Sequence, residues 1–341
     1  MDKTARQPGD TILLAAMQAA ERHGLEARLV NAETAKGGRH VDAVIDIRYG
    51  EHKARYEVET KQGLRPGTLG AVVHQLRHLG PNTMLVTDYV TPNLADELRN
   101  RQVHFMDAAG NAYLATPDFM VWVKGERPRV APETATGTGR AFTATGLQVL
   151  FALLCAPGRA ALPYRDIAKL AGVAHGTVGW VMAELPRLGF LATVPQHGRR
   201  LVNVETLLAQ WTEAYARTLR PKMVLGRYRA ETLEWATGDN ALRYDLALGG
   251  EPAAAQLTQH LRPGTATFYG HRIEPRLLLE QRLRPDAAGN VEVLRRFWAF
   301  ADDQPGLVPT PLVYADLLAI GDARCLEAAT LLYRPILDRL K

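Results

Sequence analysis

The most regular pattern of apolar and polar positions in the chain lies between residues 162 and 191. A first helix is predicted to begin at Pro163, because the fixed φ of proline suits a first helical position, and Gly172 provides the turn that follows it. The helix after this turn has apolar residues at the spacing i, i+3, i+4 and i+7, which places them on one face. The residues expected to be buried are Ile167, Ala168, Leu170 and Ala171 in the first helix and Val178, Val181, Met182 and Leu185 in the second.

Two β-prone runs follow these helices, at residues 190–194 and 200–204. Between them lies the polar and basic segment Gln196-His197-Gly198-Arg199, so a hairpin is predicted here. A helix, a glycine turn, a second helix and a basic hairpin in this order are typical of a winged helix-turn-helix, which places its second helix in the major groove of duplex DNA. The alternative is a helical hairpin that does not bind nucleic acid.

The candidate DNA contacts are the polar, basic and aromatic residues that this arrangement leaves outward. They are His175, Thr177, Trp180 and Arg187 on the second helix and just after it, and His197, Arg199 and Arg200 on the hairpin. We expect His175, Thr177 and Trp180 to read bases, and the arginines to contact the backbone or the minor groove. For Trp180, packing against the hairpin or an adjoining domain is an alternative.

Residues 10–124 have a different pattern, in which helix-like and strand-like segments alternate. A first amphipathic helix is predicted over residues 10–22. In the strand at residues 41–48, Ala43, Ile45 and Ile47 point one way and acidic residues point the other. With the strand at residues 55–61 and the segments after it, the order is αβββαβαβ, which predicts a sheet with helices on its faces.

Two of these strands bring acidic residues and a lysine to one face. Asp42 is on the first strand, and Glu59 and Lys61 are two residues apart on its neighbour. Two carboxylates can bind a hard divalent cation, and a lysine beside them can orient an attacking water. An alternative is that these charges only make one face of the sheet soluble.

This order, an aspartate followed by a hairpin and then by E-x-K, resembles the pattern of the PD-(D/E)xK superfamily. The resemblance implies a restriction-endonuclease-like α/β sandwich and a metal-dependent deoxyribonuclease. Asp42 and Glu59 would bind Mg²⁺ and Lys61 would assist the water. An acidic residue of the first helix often joins the site in that superfamily, and Glu21 is the matching residue here.

The composition of the chain suggests how it is divided. With 341 residues, two or three domains are expected. Residues 126–142, rich in Pro, Thr, Ala and Gly, are predicted to be a linker. It separates an α/β domain at residues 1–125 from the winged helix-turn-helix at residues 143–230, and an α+β domain is predicted for residues 231–341.

Charge and hydropathy add three expectations. The net charge of +5 favours a polyanionic partner. Basic residues concentrate after the hairpin, in an acid-free stretch; they are Arg217, Arg220, Lys222, Arg227 and Arg229. They are candidates for phosphate contacts, and the alternative for each of them is a solvated linker face. The polar N-terminus does not have the pattern of a signal peptide, and no apolar run is long enough to span a membrane, so a soluble cytoplasmic protein is expected.

Three further segments carry a second resemblance: DAAGN at residues 107–111, GGEPAAAQLTQHLRP at residues 249–263, and LVYADLLAIGDARCLEAATLLY at residues 312–333. Together with the winged helix-turn-helix, they resemble the AbiEi-type transcriptional regulators, the antitoxins of type IV toxin–antitoxin systems. The resemblance implies binding to operator DNA, repression of the promoter shared with a nucleotidyltransferase-like toxin, and neutralisation of that toxin without a stable complex. In that family the winged helix usually lies at the N-terminus, whereas here it follows another domain.

The sequence therefore predicts a DNA-binding repressor and antitoxin, acting as a homodimer on double-stranded DNA and requiring no cofactor to bind it. Two alternatives remain open. One is a Mg²⁺-dependent endonuclease that its winged helix directs to DNA. The other is an interaction protein whose outer domains bind a partner.

Overall fold

The computed structural model describes residues 8–36, 39–128, 139–194, 198–302 and 304–340. The chain divides into two compact units. The N-terminal unit is Met1–Gly137 and the C-terminal unit is Thr138–Lys341. Both contain helices and strands, so the predicted multi-domain α/β architecture is confirmed at this level.

The N-terminal unit is built around a seven-stranded sheet. Its elements in chain order are α1 (Pro8–Ala20), β1 (Leu25–Lys36), β2 (Arg39–Tyr49), β3 (His52–Lys61), α2 (Pro66–Leu79), β4 (Thr83–Thr87), α3 (Pro92–Asn100), β5 (His104–Asp107), β6 (Ala112–Ala115) and β7 (Met120–Val123). The strands follow one another in the sheet as they do in the chain. The contacts β3–β4 and β4–β5, which have a helix in each connection, are parallel, and the others are antiparallel.

The core of this unit lies between α1 and one face of the sheet. Leu13 and Ala16 of α1 pack with Ala43, Ile45 and Ile47 of β2, as the alternation in the sequence predicts. The sheet is curled, since the ring of Tyr49, at the end of β2, lies near that of Phe119, just before the edge strand β7, with centroids 5.8 Å apart. The sheet therefore curves around α1.

The second face of the sheet contacts α2. Val58 of β3 belongs to the core beneath α1, so its neighbour Glu59 points to the opposite face, where it bonds to Gln75 of α2. Leu69, Val72 and Val73 of α2 are buried. Asp42, Glu59 and Lys61 therefore belong to the α2 face of the sheet.

The first half of the C-terminal unit is mainly helical. A one-turn 3₁₀ helix, Arg140–Phe142, precedes all the other elements. The elements that follow are α4 (Ala144–Cys155), α5 (Tyr164–Ala171), α6 (His175–Glu184), the hairpin strands β8 (Leu191–Val194) and β9 (Gly198–Leu201), α7 (Val204–Ala214), a π-helical turn (Tyr215–Leu219) and α8 (Arg220–Met223).

The second half contains a five-stranded sheet in the order β11-β12-β14-β10-β13. Its elements are β10 (Val224–Arg229), α9 (Gly238–Arg243), β11 (Leu246–Gly249), α10 (Gly250–Thr258), β12 (Ala266–Gly270), α11 (Pro275–Glu280), β13 (Arg284–Pro285) and β14 (Val291–Arg295), followed by α12 (Thr310–Ile320) and α13 (Ala323–Leu340). The contact β12–β14 is parallel.

The two halves of this unit share one core, and no break occurs at residue 230. Strand β10 precedes that position but pairs with β14, which follows it. The ring of Phe151 in α4 stacks on Trp211 of α7 at 5.4 Å and lies 5.1 Å from Phe297, beyond β14. Helices α4 and α7 are therefore packed against the C-terminal half of the unit.

Candidate nucleic-acid interface

Helices α5 and α6 are joined by a sharp turn at Gly172. Its φ of 65° lies in the left-handed region, which glycine adopts without steric cost, and its N–H bonds to the carbonyls of Ala168 and Lys169. The apolar faces predicted for the two helices are confirmed by their burial, except at Leu170, which is only half-buried. Ile167, Ala168 and Ala171 are buried in α5, and Val178, Val181, Met182 and Leu185 are buried in or just after α6.

The other side of α6 is open to solvent. His175, at its first position, is exposed, and the side chain of Trp180 is the largest apolar group on this surface, with 60% of Trp180 exposed. Thr177 is half-buried, and Arg187 is exposed just beyond the helix. Four of the residues predicted from the sequence therefore lie at or near the accessible side of α6.

Trp180 contacts the segment that precedes α4. The guanidinium carbon of Arg140 lies 4.1 Å from the centroid of the indole ring. One turn further along α6, a carboxylate oxygen of Glu184 accepts the backbone N–H of Ala141 at 2.8 Å. Glu184 is therefore hydrogen-bonded to the segment before α4, and Arg140 is a surface residue that sequence reasoning missed.

The hairpin after α6 is attached to the start of α5. Arg199 of β9 donates to the carbonyls of Ala160, at 3.0 Å, and Leu162, at 2.6 Å, and its guanidinium lies 4.5 Å from the ring centroid of Tyr164. Arg200 is exposed. His197 lies outside the described residues. Arg199 thus has a structural role in fixing the hairpin, which the count of basic residues does not reveal.

The basic stretch after α7 differs from its sequence-based interpretation. Arg220 and Arg227 both pair with Glu292 of β14, at 2.6 and 2.9 Å, and Arg229 pairs with Asp286 at 2.7 Å. These charges are neutralised by residues far along the chain. The side chain of Arg220 is largely buried in this pair, whereas those of Arg227 and Arg229 remain about half exposed and Lys222 is exposed.

A buried polar cluster lies behind this stretch. The carboxylate of Asp316, in α12, accepts the hydroxyls of Tyr215 and Tyr269 and the Nε of Arg220. Burial raises the pKa of the Asp316 carboxyl, and Arg220 and the two hydroxyls act in the opposite direction. Because Asp316 is fully buried, we assign it a structural role, joining the π-helical turn to the sheet and α12.

The predicted metal site of the N-terminal unit is partly assembled. Glu59 and Lys61 form an ion pair at 2.9 Å, with side chains only 9% and 11% exposed, and Gln75 donates to the same oxygen of Glu59 at 2.7 Å. Asp42 accepts the backbone N–H of Thr60 at 2.7 Å. Gln75 was missed because nothing in the helical pattern of α2 shows that its amide meets a carboxylate.

The chemistry of this group suits a hard cation only in part. Carboxylate oxygens at the ends of neighbouring strands are ligands that Mg²⁺ accepts. Glu59, however, already has an ion pair and an amide hydrogen bond on one oxygen. A cation at Glu59 would therefore compete with the Lys61 ammonium group.

Glu21, the acidic residue matched to the first helix, lies in a different environment. It lines a cleft of about 720 Å³ together with Arg22, Asp88 and Arg127. Asp42, Glu59 and Lys61 do not line this cleft. The structure does not bring Glu21 together with the other three residues there.

Asp107 and a cluster of three possible metal ligands in the C-terminal unit also have structural roles. The buried carboxylate of Asp107 accepts the backbone N–H groups of Val90, Gly110 and Asn111, so it closes the turn after β5, as turn chemistry predicts. Among the described residues, one group of three possible metal ligands lies within 4.8 Å; it consists of Glu251, Asp322 and Cys325. The Glu251 carboxylate is occupied by Gly264 and Thr265, and burial raises the pKa of the Cys325 thiol, which disfavours the thiolate that binds metals.

No helix in the described part of the chain is both long and apolar enough to cross a lipid bilayer.

Residues 200–338 match a protein family described as “Transcriptional regulator, AbiEi antitoxin, Type IV TA system”. The match begins in β9 and extends into α13, so it does not include α5 and α6. No curated protein and no solved structure matches the chain.

Proposed function

We propose that this protein is a sequence-specific DNA-binding transcriptional regulator, a repressor that also acts as the antitoxin of a type IV toxin–antitoxin system. The proposal combines two independent lines of support. One is the family to which residues 200–338 are similar. The other is the arrangement of α5, Gly172, α6 and the β8–β9 hairpin, which we interpret as a winged helix-turn-helix.

The observation that supports DNA binding best is the open side of α6. A recognition helix needs an accessible face, and His175 and Trp180 are exposed on α6 while its opposite face is buried. In this interpretation α6 enters the major groove, and His175 and Thr177 contact base edges. Arg187 and Arg200 contact the sugar–phosphate backbone, and Arg199 keeps the hairpin in place beside them.

The antitoxin activity is a separate part of the proposal. The family match covers β10–β14, α12 and α13, so we assign this activity to the C-terminal half of the C-terminal unit. The toxin would be a nucleotidyltransferase-like protein encoded beside this chain and opposed without a stable complex. We also propose a homodimer on DNA, since one winged helix covers a short site and two-fold symmetry doubles it.

Binding to the DNA upstream of the chain's own gene tests the regulator. The full-length protein is titrated with this duplex and with a random duplex of equal length, in EDTA and at several salt concentrations. We expect the upstream duplex to bind at least about 10³-fold more tightly, and affinity for both to fall with salt. The double variant His175→Ala/Thr177→Ala should lose this preference, and His271→Ala, at an exposed histidine of the same unit, should keep it. Equal affinity for the two duplexes would exclude a sequence-specific regulator.

Coexpression tests the antitoxin. If expression of the neighbouring nucleotidyltransferase-like gene alone stops growth, coexpression of this chain should restore it. The two proteins should not copurify. Rescue by the His175→Ala/Thr177→Ala variant is expected, because the toxin is opposed through the other half of the unit. Unrelieved growth arrest with both proteins present would refute this activity.

A second candidate function is a metal-dependent deoxyribonuclease. The observation in its favour is the meeting of Glu59 and Lys61 on the strand next to Asp42, within a unit that we interpret as restriction-endonuclease-like. Asp42 and Glu59 would bind Mg²⁺, which would supply Lewis-acid activation of a water, and Lys61 would orient that water. Cleavage of duplex DNA with Mg²⁺ or Mn²⁺, abolished by EDTA and by Lys61→Ala but not by Lys53→Ala, would support the nuclease. DNA binding in EDTA without cleavage on adding either metal would support the regulator alone.

A further inference from the structure

The segment before α4 packs closely against α6. Glu184 of α6 accepts the N–H of Ala141, and the rings of Phe142 and Phe190 are in contact, with their centroids 6.5 Å apart. This one-turn 3₁₀ helix is therefore attached to the side of α6 and to the chain just before the hairpin. It lies beside the face that we assign to DNA.

The backbone of Arg140 is fixed from the α4 side as well. The hydroxyl of Thr143 donates to the carbonyl of Arg140 at 2.8 Å. A Cβ atom at Gly146 would lie 2.4 Å from the carbonyl oxygens of both Arg140 and Ala141, so only glycine permits this close approach. The backbone of Arg140 consequently has a defined position, in contrast to that of an arginine on a solvated chain end.

The side chain of Arg140 is oriented by Trp180. Its guanidinium carbon lies 4.1 Å from the centre of the indole ring, which is a cation–π geometry. Both residues are exposed, and within the described part of the chain no carboxylate pairs with Arg140. The N–H donors of the guanidinium are therefore available at the open face of α6.

We propose, on the basis of the proposed function, that Arg140 is a specificity-determining residue that donates to N7 and O6 of one guanine in the major groove. Trp180 is its positioning residue. A phosphate contact needs only a positive charge within reach, whereas a two-donor contact with guanine needs a guanidinium in a fixed plane. The pair Arg140–Trp180 supplies that plane, and it also accounts for a tryptophan exposed on a helix that is otherwise lined there by small and polar residues.

Selection from a randomised duplex library gives the probe. The full-length protein enriches its preferred duplexes, and each guanine of the enriched consensus is then replaced by adenine, with its partner base, one position at a time. For the wild type, we expect one guanine whose replacement weakens binding about tenfold to a hundredfold. Arg140→Ala and Arg140→Lys should both lose discrimination at that position and keep it at the others.

Two tryptophan variants separate positioning from direct contact. Trp180→Phe retains an aromatic face and should retain most of the preference for the guanine, whereas Trp180→Ala should lose it. Arg262→Ala, which removes an exposed arginine elsewhere in the same unit, is the matched control and should behave as the wild type. Thermal unfolding of each variant shows whether the fold is intact.

The possible results are distinct. If the wild type enriches a consensus and Arg140→Ala weakens binding to all duplexes equally, with a smaller salt dependence, Arg140 contacts phosphate and the inference is wrong. If Arg140→Ala keeps every base preference, it is also wrong, and the regulator itself stands. If the wild type enriches no consensus, both the inference and the proposed function fail.

Discussion

The hydroxyl group of Tyr269 lies 2.8 Å from one carboxylate oxygen of Asp316 and 2.9 Å from the other, and both residues are completely buried. The same carboxylate also accepts the hydroxyl of Tyr215, in the π-helical turn, at 2.9 Å. One side chain of α12 thus connects the sheet to the helices that precede it. The stability of the C-terminal unit should depend on this connection.

Replacing Asp316 tests this dependence. Asp316→Ala removes the acceptor for two buried hydroxyls and leaves the largely buried Arg220 with a single carboxylate partner. We expect a loss of about 3–5 kcal/mol in the free energy of unfolding, measured by urea denaturation. Asp338→Ala removes an exposed aspartate that pairs with Arg334 one helical turn away, and it should cost less than about 1 kcal/mol. Similar losses for the two variants would show that the buried cluster is not important for stability.

The buried ion pair of the N-terminal unit leads to a second prediction. Lys61→Met leaves the buried carboxylate of Glu59 with Gln75 but without its cation, which should destabilise the unit by about 3 kcal/mol. The double variant Glu59→Gln/Lys61→Met removes both charges and should recover most of this loss. Denaturant unfolding of the single and double variants measures both effects.

A matched control uses Lys53, which is exposed and pairs with Asp46. Asp46 retains its ion pair with Arg55 at 2.7 Å when Lys53 is changed. Lys53→Met should therefore alter the stability by less than about 0.5 kcal/mol. If Lys61→Met were equally mild, the Glu59–Lys61 pair would not be energetically significant.

The pH dependence of stability should be sensitive to His74. Burial, and secondarily the neighbouring His78 and Arg77, lower the pKa of His74 from its ordinary value of 6.5 to about 3. Between these values the unfolded chain binds a proton that the folded chain does not, so stability decreases as the pH falls. Between pH 7 and pH 5 this single group should account for a loss of roughly 2 kcal/mol.

Comparing the wild type with His74→Leu isolates this contribution from the other titrating groups. The variant should show a loss between pH 7 and pH 5 that is smaller by about the same 2 kcal/mol. His271→Leu, at an exposed histidine, should leave the pH profile unchanged. Parallel pH profiles for His74→Leu and the wild type would contradict the low pKa.

Periodicity in the sequence was sufficient to locate the elements around both candidate sites. The spacing of Val178, Val181 and Leu185 predicts the buried face of α6, and the alternation around Ile45 predicts the core face of β2. Such patterns depend on local geometry, because neighbouring positions on a helix or strand have fixed directions. Elements of this kind are therefore predictable from short stretches of sequence.

Partners that lie far apart in the chain could not be predicted in this way. From the sequence alone, nothing indicates that Arg220 and Arg227 are paired, because their partner Glu292 is more than sixty residues away. Trp180 was recognised as unusual, but the local pattern does not contain Arg140, forty positions earlier. The charge of a surface depends on such distant pairs, and composition alone overestimates the basic surface for that reason.

The hairpin arginines give a last prediction, in which two adjacent residues have opposite roles. Arg199→Ala removes two hydrogen bonds to the carbonyls of Ala160 and Leu162, so it should lower the free energy of unfolding by about 1–3 kcal/mol. Arg200→Ala changes an exposed side chain and should change stability by less than about 0.5 kcal/mol. If Arg200 contacts DNA phosphate as proposed, its variant should bind all duplexes more weakly, with a salt dependence reduced by about one unit of slope. Denaturation and salt titration of both variants measure the two properties separately, and an unchanged salt slope for Arg200→Ala would remove this residue from the interface.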